Sequence, residues 1–264
     1  MALRANDAGP RPGVFITGAS SGIGEALARH YASTGARLGL VGRRRETLEA
    51  LAASLPTDTR VYCADVGDAP AMAEAARDFI AAFGVPDVVI GSAGVSAGTL
   101  SEHAEDGPVF ERILRTNVLG LVHTFQPFVD PMRTQGRGTL VGIASVAGVR
   151  GLPGAGAYSA SKAAAVRYLE SLRVELHGSG VRVVTLSPGY IDTPMTRINP
   201  YPMPFLMPAD RAAARMARLI AQGRRHAVLP WPMAVVAWIL ALLPGAVYDR
   251  LFVHAGRKPR HLSE

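Results

Sequence analysis

Short apolar runs alternate with amphipathic segments along most of this chain. Each run has the length of a buried strand, and the segments between them repeat apolar residues at the spacing of one helix face. Strands that alternate with helices in this way indicate the α/β class, with a doubly wound parallel sheet of the Rossmann type in a three-layer α/β/α single domain. The predicted strands are Val14–Thr17, Leu38–Val41, Val61–Ala64, Val88–Ile90, Leu140–Ala144, Val181–Leu186 and Ala227–Leu229. The predicted helices cover 23–31, 46–55, the residues from an Asp68 cap to Phe83, 109–125, 158–176 and 210–222.

The length and composition fit one folded domain. A chain of 264 residues with 48% hydrophobic and 19% charged residues can bury a sizeable core, which excludes a disordered protein. We predict a flexible N-terminal segment (1–12), a Rossmann-fold catalytic domain (13–230) with a substrate loop at about 190–222, and an apolar C-terminal segment with a basic tail (231–264). The first residues lack the apolar core of a secretory signal, which favours a cytoplasmic protein. The single cysteine, Cys63, excludes an intramolecular disulfide, and its apolar strand context predicts a small core residue.

The chain is basic, but its charge pattern does not indicate nucleic-acid binding. The net charge is +7 and the sequence pI is about 10.1. The arginines are scattered along the chain, so we expect a solvated surface and contacts with an anionic cofactor, with no nucleic acid as partner. The histidines His103, His123 and His177 show no metal-ligand spacing, and no metal site is expected.

The C-terminal fifth of the chain is unusually apolar. No charged residue occurs from Ala227 to Tyr248, but Pro230, Pro232 and Pro244 interrupt the run, and the remaining segment is too short to span a membrane. Three interpretations stay open: a helix packed on the domain's own core or on a partner subunit, a lid that closes a lipophilic pocket together with the loop at 199–208, or docking on a membrane surface. The basic tail that supports the third contains Arg257, Lys258, Arg260 and His261.

A glycine-rich turn follows the first predicted strand and opens the first helix. Its sequence from Thr17 to Gly24 is TGASSGIG. Glycines at such a turn let the backbone approach a pyrophosphate, and the first amides of the helix meet its charge. A tight turn without a ligand is the alternative. The residues predicted to bind a dinucleotide here are Gly18, Ser20, Ser21, Gly22, Ile23 and Gly24.

The residues after the second and third strands bear on which dinucleotide is bound. An NAD site usually has an acidic residue after the second strand, but this chain has Gly42 followed by Arg43, Arg44 and Arg45. Because guanidinium groups pair with a 2′-phosphate, we predict that Arg43 and Arg44 select NADP(H), with NAD(H) as the alternative. Arg45 fits a solvated helix start. Asp65 either reaches the adenine amino group or caps its own turn.

Ser145, Tyr158 and Lys162, in the second half of the chain, are candidates for acid–base chemistry. Tyr158 and Lys162 are four residues apart on one face of a predicted helix, and Ser145 follows the fifth predicted strand. An ammonium near a phenol lowers the phenol pKa from about 10, so that a tyrosine can exchange protons near neutral pH. An ordinary exposed helix face is the alternative. Lys162 and Lys258 are the only lysines among 28 basic residues, which indicates that a compact charge is needed at position 162.

Together these motifs resemble the short-chain dehydrogenase/reductase family over roughly Gly13 to Thr193. The glycine turn has the family's T-G-x-x-x-G-x-G form, and the serine, tyrosine and lysine have its catalytic spacing. Asn117 falls where the family has a helix asparagine, and Pro188-Gly189 with Thr193 matches its nicotinamide-side motif. The chain departs from the family after the fourth strand, where Gly91-Ser92-Ala93-Gly94 replaces Asn-Asn-Ala-Gly, and this difference bears on cofactor affinity.

The resemblance implies a role for each matching residue. Ser145 hydrogen-bonds the substrate oxygen, Tyr158 gives or takes its proton, and Lys162 lowers the Tyr158 pKa and binds the nicotinamide ribose. Asn117 holds a water molecule that relays protons to solvent, the alternative being a polar helix residue that faces water. The remaining implied cofactor contacts are Val66, Ala93, Gly94, Pro188, Gly189, Ile191 and Thr193, of which the last two hold the carboxamide.

These residues predict an NADP(H)-dependent oxidoreductase that interconverts a carbonyl compound and a secondary alcohol by hydride transfer, with an apolar small molecule as substrate. The resemblance also implies a homodimer or homotetramer through the helices that carry Asn117 and Tyr158. An interaction protein on the same fold, which senses the cofactor or docks on a membrane, is the alternative. Cofactor binding alone does not require Ser145 and Tyr158, so their presence favours the enzyme.

Overall fold

The structure is a computed structural model that describes residues 11–260. Most of the predicted flexible segment and His261 of the predicted basic tail lie outside the described residues. The centre of the molecule is a parallel sheet, and a separate pair of short strands lies beside it. The strands are β1 (Gly13–Thr17), β2 (Arg37–Gly42), β3 (Thr59–Cys63), β4 (Val88–Gly91), β5 (Gly138–Ile143), β6 (Val181–Pro188), β7 (Ile191–Asp192), β8 (Met207–Pro208) and β9 (His226–Leu229).

All seven predicted strands are present in the central sheet. They pair in parallel in the order β3–β2–β1–β4–β5–β6–β9, while β7 and β8 pair with each other. The chain order reverses between β1 and β4, and ligands of open α/β sheets bind at such a reversal, beyond the carboxyl ends of the strands. The topology therefore confirms the Rossmann-type fold and places the ligand crevice at the ends of β1 and β4.

Helices cover both faces of the sheet. Successive side chains of a strand point to opposite faces, so Val14 and Ile16 of β1 pack in one core and Phe15 packs in the other. In the second core, Phe15 contacts Phe79 and Phe128 with ring centroids 5.5 and 4.9 Å apart. The helices are α1 (Gly22–Ser33), α2 (Arg45–Ser54), α3 (Ala69–Phe83), α4 (Gly107–Leu114), α5 (Gly120–Thr134), α6 (Gly156–Glu175), α7 (Pro194–Arg197), α8 (Ala209–Ala221), α9 (Trp231–Leu242) and α10 (Gly245–Phe252).

Some local features follow the sequence prediction and others differ from it. Asp68 caps α3 as predicted, since its side chain accepts a hydrogen bond from the Ala71 N–H at 3.1 Å.

The single helix predicted over 109–125 instead consists of α4, one wider π turn over Arg115–Leu119, and α5. Such π turns occur often at functional sites, and this one carries Asn117.

The prediction that Cys63 is a core residue is wrong. Cys63 is exposed, and its thiol donates a hydrogen bond to the Arg43 carbonyl at 3.3 Å. The reason is its place in the sheet: it ends β3, the edge strand of the sheet that residues 11–260 form. An apolar sequence context does not distinguish an edge strand from a central one.

The apolar C-terminal segment forms α9 and α10. One side of α9 packs on the domain, where Met233 and Ala237 are buried together with Val146. The other side is exposed, with Trp231 73% and Trp238 66% accessible. Among residues 11–260, no helix combines the length and the apolar character that crossing a membrane requires.

Candidate active site

A cavity of about 530 Å³ lies at the predicted crevice beyond β1 and β4. Its volume is in the range of small-molecule and cofactor sites. The structure brings together in its lining every residue predicted to contact the cofactor, and the two hydroxyl residues and the lysine predicted to be catalytic. These residues are Gly18, Ser20, Ser21, Gly22, Ile23, Gly24, Arg43, Arg44, Asp65, Val66, Ala93, Gly94, Ser145, Tyr158, Lys162, Pro188, Gly189, Ile191 and Thr193.

The glycine-rich turn has glycine at positions where a side chain would collide with neighbouring backbone. A Cβ at Gly18 would lie 2.7 Å from the Ala93 backbone, and one at Gly24 would lie 2.2 Å from the Gly18 carbonyl oxygen. Gly18 and Gly22 also have φ values of +67° and +60°, which favour glycine. Ser21 precedes α1 without a side-chain capping hydrogen bond, so the first amides of the helix remain open to an anion.

The end of β2 presents guanidinium groups and no carboxylate. Arg44 donates hydrogen bonds to the Ser20 hydroxyl at 3.0 Å and the Ser20 carbonyl at 3.2 Å, which ties it to the glycine turn. Arg43 is exposed, and no side-chain hydrogen bond of Arg43 is found within residues 11–260. Arg45 pairs with Glu49 at 3.3 Å on the surface, as a solvated helix start does. The two arginines in the cavity wall therefore fit a 2′-phosphate.

The structure shows the local turn role of Asp65, and its contact with the adenine amino group stays a prediction. Its carboxylate accepts a hydrogen bond from the Gly67 N–H at 2.8 Å, which is the local turn role. Asp65 also lines the cavity, next to Val66. The local hydrogen bond holds the carboxylate at the cavity wall and leaves its second oxygen available as an acceptor.

Ser145 and Tyr158 meet at the inner end of the cavity. The Ser145 hydroxyl accepts a hydrogen bond from the Ala147 N–H at 3.1 Å, which fixes its rotamer at the end of β5. Burial raises the pKa of Tyr158 above 10, and the hydrogen bond between its side chain and Ser145 acts in the opposite direction. The phenol is therefore protonated at neutral pH and ready to donate a proton.

Lys162 lies below the Tyr158 ring and is almost fully buried. Its ammonium is 5.7 Å from the ring centroid and donates a hydrogen bond to the Ile143 carbonyl at 2.9 Å. Burial lowers the pKa of Lys162 to about 8. The lysine remains mostly charged at neutral pH, and a charge this close to Tyr158 stabilises its deprotonated form.

Asn117 lies behind the cavity and does not line it. The side chain is 3% exposed, so the alternative of a polar residue facing water does not hold. Its amide donates to the Val95 carbonyl at 3.0 Å and the Ser161 hydroxyl at 2.9 Å, and its oxygen accepts from the Val95 N–H at 2.8 Å. Asn117 thereby connects the loop segment at Val95, after β4, to α6, the helix that carries Tyr158 and Lys162.

The nicotinamide-side residues follow β6. Gly189 donates its N–H to the Leu229 carbonyl at 2.8 Å, and a Cβ there would lie 2.6 Å from Met233 of α9. Thr193 precedes α7 and caps it together with Thr196. The Thr193 methyl group faces the glycine turn, since a Cβ at Gly22 would lie 3.2 Å from it. The two walls of the cavity therefore approach each other at Thr193.

Comparison with known proteins identifies the family. The model of the short chain dehydrogenase family matches residues 13–200. The chain belongs to the short-chain dehydrogenase/reductase family. An uncharacterized oxidoreductase of Myxococcus xanthus is 39% identical over 238 residues, which covers 89% of this chain and 94% of that protein.

Two solved structures place family members on the same fold. An alcohol dehydrogenase of Thermococcus sibiricus in complex with 5-hydroxy-NADP has a TM-score of 0.73 and 27% identity, covering 83% of this chain and 96% of its own. A 3-ketoacyl-(acyl-carrier-protein) reductase of Brucella melitensis in complex with NADH has a TM-score of 0.74 and 25% identity, covering 82% and 94%. This short-chain dehydrogenase is therefore an NAD(P)-dependent oxidoreductase that acts on alcohol and carbonyl groups.

Gly91 stands where the family has an asparagine, and the neighbouring Leu121 side chain occupies the space beside it. A Cβ at Gly91 would lie 2.3 Å from Leu121 of α5, so glycine makes room for a leucine there. The hydroxyl of Thr17 supports the same loop, lying 3.4 Å from the Ala93 N–H and from the Ile90 carbonyl. Packing and the Thr17 hydroxyl hold this loop, and Ser92, Ala93 and Gly94 line the cavity.

Several residues at the site were not predicted from the sequence. Arg112 and Thr116 enter the cavity wall because α4 and the π turn lie across its mouth, and Pro194, Met195 and Thr196 enter it from α7. The Lys258 ammonium also lies near the Tyr158 ring, although the two residues are far apart in sequence. The sequence offered one indication of a role for Lys258, because the chain has only two lysines.

Proposed function

We propose that this short-chain dehydrogenase is an NADPH-dependent reductase that converts a carbonyl compound into a secondary alcohol. The proposal rests on the position of Ser145, Tyr158 and Lys162, which line one cavity suited to a dinucleotide, with the Lys162 ammonium 5.7 Å from the centroid of the Tyr158 ring. A neutral phenol is a proton donor, and reduction of a carbonyl group requires one. These residues therefore support proton transfer to a carbonyl oxygen.

The side chains that line the cavity have distinct roles in this reaction. The Ser145 and Tyr158 hydroxyls hold the carbonyl oxygen of the substrate by hydrogen bonds, where negative charge develops. NADPH, when bound, supplies the hydride. Tyr158 transfers its proton to the oxygen, and the nearby Lys162 ammonium stabilises the phenolate that remains. Ile191 and Thr193 would hold the carboxamide, and Lys162 the nicotinamide ribose.

The preference for NADPH over NADH rests on the end of β2. Gly42 leaves no carboxylate to repel a 2′-phosphate, and the guanidinium groups of Arg43 and Arg44 border the cavity. The solved relatives hold an NADP derivative in one case and NADH in the other, so the preference of this chain is argued from its own residues.

Asn117 supports the reaction from behind the cavity. Both of its amide hydrogens are used by protein acceptors, which makes it a positioning residue for the Val95 segment and α6. The water relay implied by the family resemblance stays a prediction. A relay through Asn117 would use its oxygen or its main-chain carbonyl, since the amide hydrogens are occupied.

An association with a second copy or an apolar surface is also part of the proposal. Phe110, Leu119 and Val174 are exposed along α4, the π turn and α6, which supports the expected dimer or tetramer. The exposed Trp231 and Trp238 of α9 fit a partner subunit or an anionic membrane surface. The cytoplasmic or peripheral placement predicted from the sequence stays a prediction.

A turnover assay tests the proposed reaction. The protein is incubated with NADPH and a panel of ketones and aldehydes, NADPH absorbance is followed, and the alcohol product is quantified by mass spectrometry. We expect one alcohol to form for each NADPH consumed. Binding of NADPH without reduction of any carbonyl compound, and without oxidation of secondary alcohols by NADP⁺, would favour the alternative of a cofactor-sensing protein.

A further inference from the structure

The C-terminal tail, Gly256–Arg260, runs across the loops that follow the central strands. The Lys258 carbonyl oxygen would lie only 2.2 Å from a Cβ at Gly98 in the loop after β4, so glycine is needed at that position. The tail also packs on Gly154 after β5, where a Cβ would lie 3.1 Å from Arg257, and on Tyr201 between α7 and β8. The tail itself is not part of the cavity lining, but the Lys258 side chain extends from it to Tyr158 and Met195, which are.

Contacts other than the Lys258 side chain fix the tail in place. The Gly98 N–H donates to the Pro259 carbonyl at 2.7 Å. Arg260 donates to both carboxylate oxygens of Asp106, at 3.0 Å each, and to Glu105 at 2.9 Å. Asp106 is itself buried and accepts from the Leu100 N–H at 2.8 Å. Because these contacts flank Lys258 directly, they position its side chain without using its charge.

The Lys258 ammonium points toward the reacting tyrosine. It lies 5.8 Å from the centroid of the Tyr158 ring and donates a hydrogen bond of 3.4 Å to the carbonyl of Met195, a residue of the cavity wall. An ammonium has three donors, so two remain. No carboxylate lies within 4.0 Å of it in the described part of the chain, 11–260.

The two lysines of the chain therefore flank one tyrosine. The Lys162 and Lys258 ammonium groups lie 5.7 and 5.8 Å from the Tyr158 ring, and the pKa of each is lowered to about 8 by burial. Both are mostly charged at neutral pH. Within residues 11–260 each ammonium has a carbonyl partner but no carboxylate. Holding a partly desolvated cation without an opposite charge is unfavourable, and an anion that enters the site relieves this cost.

We propose that Lys258 binds a carboxylate group of the substrate, so that the preferred substrates of the reductase are oxo acids. This inference rests on the proposed function, because it assigns the substrate class of the same site. It replaces the apolar substrate expected from the sequence with one that carries a negative charge near its carbonyl group. Lys258 lies outside residues 13–200, so the match to the family model does not assign it a role.

Matched acids and esters test the proposal. The wild type and Lys258→Met are assayed with 4-oxopentanoate and 5-oxohexanoate and with the methyl ester of each. Hydrogen bonds to a charged group contribute about 1.5–3 kcal/mol, so kcat/KM for the acid is expected to fall about 10- to 100-fold, mainly through KM. The fall for the ester is expected to be much smaller. Lys258→Arg is expected to restore part of the acid preference.

Two controls separate binding from structure. Arg257→Met removes a neighbouring charge that packs on Gly154, and it is expected to keep the acid-over-ester ratio of the wild type. Lys258→Gln retains a donor for the Met195 carbonyl, and it replaces Lys258→Met in the assay if the methionine variant does not fold. Thermal unfolding of each variant shows whether it is folded. Lys258→Gln is expected to lose the acid preference as Lys258→Met does.

Several outcomes would overturn the proposal. One is a wild type that reduces acid and ester equally well, and another is a Lys258→Met variant that keeps the acid preference. Weaker NADPH binding by Lys258→Met, with an unchanged acid-over-ester ratio, would assign the lysine to the cofactor. Reduction of the esters alone by the wild type would support the proposed function while refuting this inference. If no compound is reduced, the proposed function fails. Binding of the acids to the NADPH complex, monitored by NADPH fluorescence, then still tests whether Lys258 binds a carboxylate.

Discussion

Replacing Tyr158 by phenylalanine is expected to reduce carbonyl reduction by about 10²- to 10⁴-fold, the range that general acid catalysis contributes. The variant lacks the phenolic proton and the hydrogen bond with Ser145, but its ring still covers Lys162. NADPH binding is expected to change little, since the glycine turn and the arginines of β2 are untouched. Initial rates and NADPH affinity, measured on the same preparation, check both parts of the expectation.

The control for this variant is Tyr168→Phe on the same helix. Tyr168 is partly buried in the second core and lies outside the cavity wall. The Tyr168→Phe variant also loses a phenolic hydroxyl group. If removing a hydroxyl from α6 disturbs the helix itself, turnover would therefore fall in both variants. Turnover of Tyr158→Phe at the level of Tyr168→Phe would remove Tyr158 from the catalytic role.

Replacing Gly42 by aspartate and Arg43 by alanine together is expected to reverse the cofactor preference. The aspartate repels a 2′-phosphate and accepts hydrogen bonds from ribose hydroxyls, while the alanine removes a guanidinium partner of the phosphate. A Cβ at Gly42 would lie 3.4 Å from the Ser20 hydroxyl and 3.5 Å from Leu48, so the fold has room for the start of the side chain. We expect the NADPH-over-NADH ratio of kcat/KM to fall by about 10²-fold or more, from two charged interactions of about 1.5–3 kcal/mol each.

Arg45→Ala is the matched control for the cofactor variant. Arg45 is adjacent in sequence, but it pairs with Glu49 on the surface. Its removal lowers the net charge as Arg43→Ala does, and it is expected to leave the NADPH-over-NADH ratio within about threefold, as exposed ion pairs contribute little. If the double variant keeps the wild-type ratio, the assignment of the 2′-phosphate to the end of β2 fails.

The sheet was predictable because its strands are short apolar runs separated by clear turn residues. The seven strands of the sheet and the cap of α3 by Asp68 depend on local pattern, and all are present. Cys63 was not predictable in the same way, because its exposure depends on β3 being the edge of the sheet. Strand order is a property of the whole chain, and an apolar run does not contain it.

The site was predictable where its residues belong to motifs with fixed spacing. The glycine turn and the Tyr158–Lys162 pair lie directly at strand ends or on one helix, so their positions follow from the elements that carry them. Lys258 reaches Tyr158 only because the chain after α10 turns back over three loops, and no short-range pattern specifies that path. The π turn at Arg115–Leu119 carries Asn117, whose hydrogen bonds to Val95 and Ser161 join residues that are distant in sequence, so a local pattern does not contain it either.

A side-by-side fluorescence titration of the wild type with NADPH and NADH tests, without any substrate, whether the cavity between the glycine turn and Thr193 is an NADPH site. We expect saturable NADPH binding with a dissociation constant about tenfold or more below that of NADH, the effect of about 1.4 kcal/mol or more from the arginines at β2. Equal binding of the two, tighter binding of NADH, or binding of neither would contradict this expectation.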